Sequence, residues 1–367
     1  MTQKKRVLYL DVARTAAIML ISINHAANRC FEMYDEPYLE FAEMSHVMSF
    51  VKSLIIVISH MGVPLFLMIT GALMLNRNYD TEQDLFRFYK KNYLHLFVTS
   101  EIWIFITYWG VAYMEHPDWY SGAGIADLLK NLVCTMLFIN QITIGSLWYI
   151  PMILCVYLMI PVLSKALHAL SFKAYIIPML IVYISGMVFP GINRLLMAFE
   201  INKYYSFALK SYNISSVYLP YILIGAFIAN EGLQRIRTIW LCGFAGGAAI
   251  LVTCLQNQLF SMEKGYLMTY DSPAFVLIAA CLFELIRRGF PGYAGENSVF
   301  SYMAVRSFAI YFIHVLIMEL QIILLPLNPD HRLLYLLYLD VVSVAMSLIV
   351  IQVLSYNKWA KKWMLYM

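Results

Sequence analysis

Long apolar runs, separated by short polar patches, follow one another along the whole chain. A helical run of about 20 apolar residues is long enough to cross a bilayer, and we identify about ten such runs. The predicted spans are 8–28, 49–75, 92–114, 146–165, 173–190, 213–230, 236–255, 270–288, 302–325 and 333–356. The pattern predicts an all-α polytopic membrane protein with about ten transmembrane helices. No Pro-, Gly- or Ser-rich linker divides the runs, so we interpret residues 1–367 as a single integral membrane domain.

The composition supports this class. Hydrophobic residues make up 61% of the chain and charged residues only 13%, whereas soluble domains carry roughly 25% charged residues. The formal net charge of +4 says little about partners, and we expect no nucleic-acid partner. The first run contains Asp11 and Arg14, which the apolar core of a cleavable signal peptide would avoid, so we keep it as the first span.

The distribution of Lys and Arg predicts the orientation. An even number of spans places both termini on one side of the membrane. When that side is the cytoplasm, the inner segments hold roughly twice as many Lys and Arg residues as the outer segments, as the positive-inside rule requires. We therefore predict cytoplasmic termini. Two outer segments stand out: 115–145 has the period of an amphipathic interfacial helix, and 191–212 combines polar and aromatic residues that suit either sugar binding or an interfacial belt.

The six cysteines are scattered and include no C-x-x-C pair. Cys30 and Cys134 both fall on the predicted outer side, where they can either pair as a disulfide or remain thiols. No metal-binding pattern is visible, and we expect no metal.

The first span carries an unusual set of polar residues, in the stretch LDVARTAAIMLISINHAAN at 10–28. Asp11 and Arg14 are three residues apart, so they share a helix face and can pair. His25 follows Arg14 by three turns plus roughly 20°, which places it on the same face about 16 Å further along. Such a stripe must face protein rather than lipid. It is either a network that only fixes helix packing or a functional site, since ionisable groups inside spans are costly.

The Arg-x10-His spacing in this span resembles the hallmark of the acyltransferase-3 family of membrane acyltransferases. GVPLFLMITGALML at 62–75 is similar to the second-span segment of the family, and RFYK at 87–90 resembles its basic R-x-x-R motif with Lys90 in place of the second Arg. Further similar segments are SLWYIPMILCVYLMIP at 146–161, YLPYILIGAFI at 218–228 and IYFIHVLIM at 310–318. The motifs occur in the family's order over nearly the whole chain, and the chain most resembles the short, domain-free O-acetyltransferase type.

The resemblance implies a membrane-bound O-acyltransferase in a bacterial-type plasma (inner) membrane. It implies transfer of an acyl group, usually acetyl, from cytoplasmic acyl-CoA to a hydroxyl of a cell-envelope or lipid-linked glycan. The expected partners are therefore acetyl-CoA as acyl donor, the glycan acceptor and membrane lipids. The alternative is a transporter or flippase of a polar substrate, which would also explain many spans and buried charges. The absence of an internal repeat in the sequence favours the enzyme.

We predict His25, Arg14 and Asp11 as catalytic residues. A neutral imidazole can act as a general base towards the acceptor hydroxyl, or it can carry the acyl group as a nucleophile. Arg14 would orient the site or meet the thioester arm, and Asp11 would hold Arg14.

The cations Arg87, Lys90 and Lys91 suit the phosphates of CoA, although the positive-inside rule alone also accounts for them. Other polar or aromatic residues in the spans are candidates for lining the site. They are Glu101, Trp148, Tyr149, His314 and His60. For His60 the alternatives are a second catalytic imidazole and a hydrogen-bonded packing histidine. Glu284 and Glu319 are weaker candidates, because each can reach an interface.

Overall fold

The computed structural model describes residues 6–31, 44–115, 124–139, 147–169, 177, 180–181, 183–201, 218–262, 270, 272–295, 298–326 and 331–367. Over these residues the chain is helical, apart from one isolated antiparallel bridge between Val7 and Tyr293. The helices are α1 (Leu8–Phe31), α2 (His46–Ser59), α3 (Gly62–Thr70), α4 (Glu82–Phe88), α5 (Leu94–Glu115), α6 (Gly124–Met136), α7 (Tyr149–Ala169), α8 (Phe189–Ala198), α9 (Leu219–Ala229), α10 (Thr238–Ser261), α11 (Pro273–Gly289), α12 (Val299–Leu324), α13 (Arg332–Ser355) and α14 (Lys358–Trp363). The predicted all-α class is confirmed for this part of the chain.

The chain divides into two compact units. The first comprises residues 1–77 and 166–304 and contains α1–α3 and α8–α11. The second comprises residues 78–165 and 305–367 and contains α4–α7, the greater part of α12, α13 and α14. The interpretation of the whole chain as one domain stays a prediction.

Helices lie where the apolar runs predicted spans. Within span 173–190, residues 183–190 are described and helical, including a π-helical turn, Ile184–Val188. Within the described part, five helical stretches are long and apolar enough to cross a membrane. They are His46–Leu75, Tyr149–Ala169, Thr238–Ser261, Val299–Leu324 and Arg332–Ser355. The protein is thus an integral membrane protein by its helices. The total of ten spans and the cytoplasmic location of the termini stay predictions.

The second predicted span, 49–75, is broken near its middle. Helix α2 ends at Ser59, α3 begins at Gly62, and a π-helical turn, Gly71–Leu75, follows α3. Pro64 explains the break, because it has no N–H to donate to the carbonyl of His60 four residues earlier. The break places the side chain of His60 at a helix end inside the membrane run.

Glycines allow the helices of the first unit to approach closely. A Cβ on Gly71 would lie 1.8 Å from the carbonyl oxygen of Ile222, and one on Gly225 would lie 2.1 Å from that of Met68. The backbones of α3 and its following π-helical turn therefore contact the backbone of α9, as small residues permit in membrane bundles. Gly62 similarly seats α3 against Ile21 of α1, where an added Cβ would lie 2.7 Å from the Ile21 Cγ1. This contact fixes α3 on α1 one turn before His25.

Contacts inside each unit join helix ends that the predicted topology places on the same side. In the first unit the pairs are Leu8–Gly292 and Asn76–Asn230 at the predicted inner ends, and Ser53–Asn257 and Tyr221–Tyr270 at the outer ends. In the second unit the pairs are Asp80–Lys165 and Asn92–Tyr366, all at predicted inner ends. The pairs of the first unit therefore agree with the predicted alternation of its spans, while those cited for the second unit concern inner ends only.

The outer segments gave mixed outcomes. The amphipathic helix predicted within 115–145 is confirmed as α6, with Leu128 and Leu132 buried beside Tyr108 of α5. The segment predicted at 191–212 begins inside α8, while 202–217 lies outside the described residues. The six cysteines all lie in the described part. Cys30 and Cys134 belong to different units, so the disulfide alternative for them stays untested.

Candidate functional site

Helix α1 carries the polar stripe, and its two ends are built differently. Asp11 is buried at the start of the helix, while Arg14 and His25 are half-buried. The flanking residues Ala13, Ala17 and Ile18 are fully buried. The stripe thus lies along a helix whose apolar positions are covered by protein, as predicted for a span with ionisable residues.

At the first end, Asp11 is held by Arg6, five residues earlier, and by Ser301, which is distant in sequence. Arg6 donates to both carboxylate oxygens, with its Nε 2.8 Å from Oδ2, and the hydroxyl of Ser301 donates to Oδ2. The hydrogen bond with Asp11 raises the pKa of Arg6, so the guanidinium stays charged. The bonds of Asp11 in the described part are with Arg6 and Ser301, and the expectation that it holds Arg14 stays a prediction.

Backbone pairing explains why Arg6 reaches Asp11. The N–H of Leu8 donates to the Gly292 carbonyl at 3.0 Å, and the N–H of Ala294 donates to the Arg6 carbonyl at 2.9 Å. This short ladder brings the segment before α12 against the start of α1. Asp11 therefore anchors the helix that carries Arg14 and His25.

At the other end of the stripe, Asn24 links α1 to the break between α2 and α3. Its Nδ2 lies 2.9 Å from the Ser59 hydroxyl and 3.1 Å from the His60 Nδ1. The structure therefore brings His60 to Asn24, the residue directly before His25.

Two contacts of the His60 Nδ1 favour opposite tautomers. Nδ1 lies 2.7 Å from the carbonyl oxygen of Ile56, which only accepts, and 3.1 Å from the Asn24 Nδ2, which only donates. The ring is buried and packs beside Tyr270 and Phe275, with centroids 5.4 and 6.0 Å away. These contacts support the packing interpretation of His60, placed at the same end of the first unit as His25.

The predicted donor-binding cations lie in the second unit. Arg87 is in α4, and Lys90 and Lys91 lie in the π-helical turn Tyr89–Tyr93 that follows. All three side chains are exposed. Arg87 pairs with Asp84 at 3.3 Å, whereas among the described residues no carboxylate forms an ion pair with Lys90 or Lys91. Two ammonium groups are therefore presented to solvent.

The remaining lining candidates also lie in the second unit. Tyr149 faces Tyr311 with ring centroids 5.8 Å apart, and Tyr311 lies 6.3 Å from the ring of His314. Trp148 meets Tyr149 edge-on at 6.2 Å. The structure thus brings three of the predicted residues into one aromatic cluster, completed by Tyr311, which the sequence analysis did not select.

The Nδ1 of His314 lies 2.8 Å from the carbonyl oxygen of Ile310, which only accepts, so Nδ1 is the donor in this hydrogen bond. Glu101 lies in α5, where one carboxylate oxygen is buried without a hydrogen-bond partner among the described residues. Near it on α5, Trp103 stacks on Phe312 at 5.5 Å. The cluster therefore combines a buried imidazole with aromatic walls, and Glu101 stays a separate candidate on α5.

Glu284, a weaker candidate in the sequence, has a packing role. It is fully buried and accepts from Arg287 at 2.7 and 2.9 Å and from Arg288 at 2.6 Å. Arg288 also donates to the Thr238 hydroxyl and the Leu233 carbonyl. This network ties α11 to the start of α10.

The sequence analysis missed two buried charges that its own rule should have selected. Asp340 is 4% exposed in the apolar helix α13, where Ser343 and Ser347 continue a buried polar face. Lys52 is 1% exposed within α2, and its Nζ lies 5.4 Å from the ring centre of Phe260. Ionisable residues within apolar runs were the available signal in both cases.

Comparison with known proteins gives one match. The family model described as an acyltransferase domain matches residues 7–356. No curated protein and no solved structure matches the chain significantly. The matched region contains the α1 stripe, the cations after α4 and the aromatic cluster.

Proposed function

The chain belongs to the acyltransferase-3 family and is a membrane acyltransferase, and on this premise we propose that it acts as an O-acetyltransferase. The proposed donor is cytoplasmic acetyl-CoA, and the proposed acceptor is a hydroxyl of a cell-envelope or lipid-linked glycan. The proposed location is a bacterial-type inner membrane.

The position of His25 is the observation that carries this proposal. His25 is half-buried in α1, a helix held at one end by Asp11 and at the other by Asn24. A neutral imidazole can accept a proton, which few other side chains can do near neutral pH. Anchoring at both ends holds this group at a fixed depth.

In the general-base route, His25 removes the proton from the acceptor hydroxyl as the oxygen attacks the thioester carbonyl. The new C–O bond forms, the C–S bond breaks, and the proton passes from the imidazolium to the CoA thiolate. In the nucleophilic route, an imidazole nitrogen attacks the thioester carbonyl, and the C–S bond breaks to release the CoA thiolate. The acceptor oxygen then attacks the acyl-His25, the C–N bond breaks, and the hydroxyl proton passes to the thiolate. Arg14, on the same face, orients the thioester arm in either route.

The donor phosphates are assigned to Arg87, Lys90 and Lys91. Lys90 and Lys91 support this assignment best, since both are exposed and each is a compact point charge suited to phosphate. The aromatic cluster of Trp148, Tyr149 and Tyr311 offers apolar walls for the acyl arm.

The test uses purified protein in detergent, without an ion gradient, supplied with acetyl-CoA and a lipid-linked glycan extract. Release of CoA and labelling of the glycan are followed by mass spectrometry. His25→Ala is expected to lower the rate by about 10²- to 10⁴-fold. His46→Ala is the matched control, because His46 is an exposed histidine at the start of α2 in the same unit.

A folded His25→Ala protein that transfers acetyl at the parental rate would remove His25 from the mechanism. Gradient-dependent movement of a substrate without any CoA release would favour the transporter alternative. Trapping of an acetylated His25 with acetyl-CoA alone selects the nucleophilic route.

A further inference from the structure

The segment after α13 is fixed against the start of α5. His95 of α5 donates from Nε2 to the Lys362 carbonyl, and the Trp103 Nε1 donates to the Met364 carbonyl at 2.6 Å. The Tyr366 hydroxyl donates to the Asn92 carbonyl at 3.3 Å. Leu365 is fully buried. Residues 357–367 are therefore a built part of the second unit.

This anchored segment is strongly basic. Lys358, Lys361 and Lys362 are exposed, and their spacing of three and four residues places them on one face of α14. Residues 356–367 contain no acidic residue. Asn357 caps the helix through the N–H groups of Trp359 and Ala360, which defines where this face begins.

The anchors bring α14 to the cations that follow α4. His95 contacts the Lys362 carbonyl, and Lys91 precedes His95 by one helical turn, about 6 Å along the axis. Asn92, the residue after Lys91, receives the Tyr366 hydroxyl. The ammonium of Lys362 lies 4.5 Å from the ring centre of Trp363, whose ring in turn lies against His95. Lys362 is thereby held at this junction.

We propose that Lys361 and Lys362 of α14 complete a phosphate-binding site with Lys90 and Lys91, and that its ligand is the 3′-phospho-ADP head of acyl-CoA. We call these four residues the basic junction. This inference rests on the proposed use of acyl-CoA as donor. The proposed site thus combines the two lysines after α4 with two lysines from the carboxyl-terminal part of the sequence.

Charge balance supports a site made of two segments. The head group of CoA carries a 3′-phosphate and a diphosphate, so it is strongly anionic. In the segment around α4, Arg87 is paired with Asp84, and Glu82 adds a further negative charge. Lys165 is likewise engaged, by Asp80 at 2.7 Å. Lys90 and Lys91 alone match the ligand poorly, whereas the acid-free α14 segment supplies the missing positive charge.

The same chemistry also suits the phosphates of anionic lipids, so the test separates the two sources. CoA and dephospho-CoA affinities are measured by calorimetry in a neutral, lipid-free detergent. The variants are Lys361→Gln with Lys362→Gln, Lys90→Gln with Lys91→Gln, and all four together. Lys130→Gln is the charge-matched control, since Lys130 is exposed on α6 in the same unit. The anchor of Lys362 uses its backbone carbonyl, so glutamine leaves that hydrogen bond in place.

Each double variant is expected to bind CoA about tenfold more weakly, as loss of charge-assisted phosphate contacts implies. The loss should be smaller for dephospho-CoA, which lacks the 3′-phosphate. Parental CoA affinity in the Lys361→Gln/Lys362→Gln variant would overturn the inference. The inference would also fail if this variant differed from the parent only in carrying less co-purified phosphatidylglycerol. Failure of the parent itself to bind CoA would instead reject the proposed function.

Discussion

Two basic regions of this protein differ in what surrounds their cations. In the first unit, Arg287 and Arg288 close around the fully buried Glu284, and Arg288 is further bonded to Thr238 and Leu233. In the second unit, Lys90 and Lys91 are exposed, and no described carboxylate pairs with them. Both regions satisfy the positive-inside rule equally well in sequence.

This difference in burial and pairing assigns a packing role to the first region and a ligand-binding role to the second. A buried carboxylate with two guanidinium partners has its hydrogen-bonding capacity used inside the protein, so it holds helices together. Exposed ammonium groups contribute little to stability and keep their hydrogen bonds for a ligand. Substitutions in the first region should therefore change the free energy of unfolding, and those in the second should change ligand affinity.

The largest effect on stability is expected for Glu284→Ala. This change leaves Arg287 and Arg288, which are 17% and 21% exposed, without their carboxylate. Breaking such a pair should cost about 3 kcal/mol. Thermal unfolding in detergent measures the change, with the exposed Glu82→Ala as control. A loss below about 1 kcal/mol would contradict the packing role.

Asp11→Asn should have the next largest effect. The carboxylate accepts charge-assisted bonds from Arg6 and a hydroxyl bond from Ser301, and Arg6 is partly exposed. We expect a loss of about 2 kcal/mol, together with reduced turnover, because α1 loses its anchor. Ser301→Ala combined with Asp11→Asn should destabilise less than the sum of the two single changes, since both remove one network. Strict additivity would show that Ser301 and Asp11 act independently.

Lys90→Gln with Lys91→Gln should have the opposite outcome, with CoA affinity reduced and stability retained. The free energy of unfolding should change by less than about 0.5 kcal/mol, while CoA affinity falls about tenfold. The loss should shrink as salt rises, because exposed charges are screened. Destabilisation equal to that of Glu284→Ala would remove the distinction between the two regions.

The smallest effect is expected for Arg87→Gln. Asp84, 3.3 Å from the guanidinium, already offsets part of its charge. CoA affinity should fall only about two- to threefold, below the loss for Lys90 and Lys91, as expected for a screened surface charge. Calorimetry on Arg87→Gln and on the Lys90→Gln/Lys91→Gln variant in parallel ranks their losses of CoA affinity. An Arg87→Gln loss that exceeds the double-lysine loss would assign the main phosphate contact to Arg87.

The sequence predicted much of the helical frame and the residues worth testing, for identifiable reasons. Apolar runs located helices such as α10 and α13, and the 3.6-residue period placed Arg14 and His25 on one face. The RFYK stretch indicated cations that the structure shows to be exposed. These features depend on local composition and spacing alone.

Features that depend on distant pairing were beyond such reasoning. Ser301, which bonds Asp11, lies 290 residues further along the chain, and the Val7–Tyr293 bridge beside Arg6 joins segments of similar separation. The link from His95 to Lys362 joins segments of similar sequence separation. Asp340 differs, because a lone carboxylate in an apolar run was visible and its significance was overlooked.

The central claim is that α1 performs the chemistry while the exposed lysines bind the donor. It is tested most directly by measuring turnover and CoA affinity together in His25→Ala and in Lys90→Gln/Lys91→Gln. We predict a crossed result. His25→Ala should lose about 10²- to 10⁴-fold in rate at parental CoA affinity, and the lysine variant should lose about tenfold in affinity while keeping its rate at saturating donor. Parental turnover in folded His25→Ala, or equal losses of both quantities in both variants, would contradict the account.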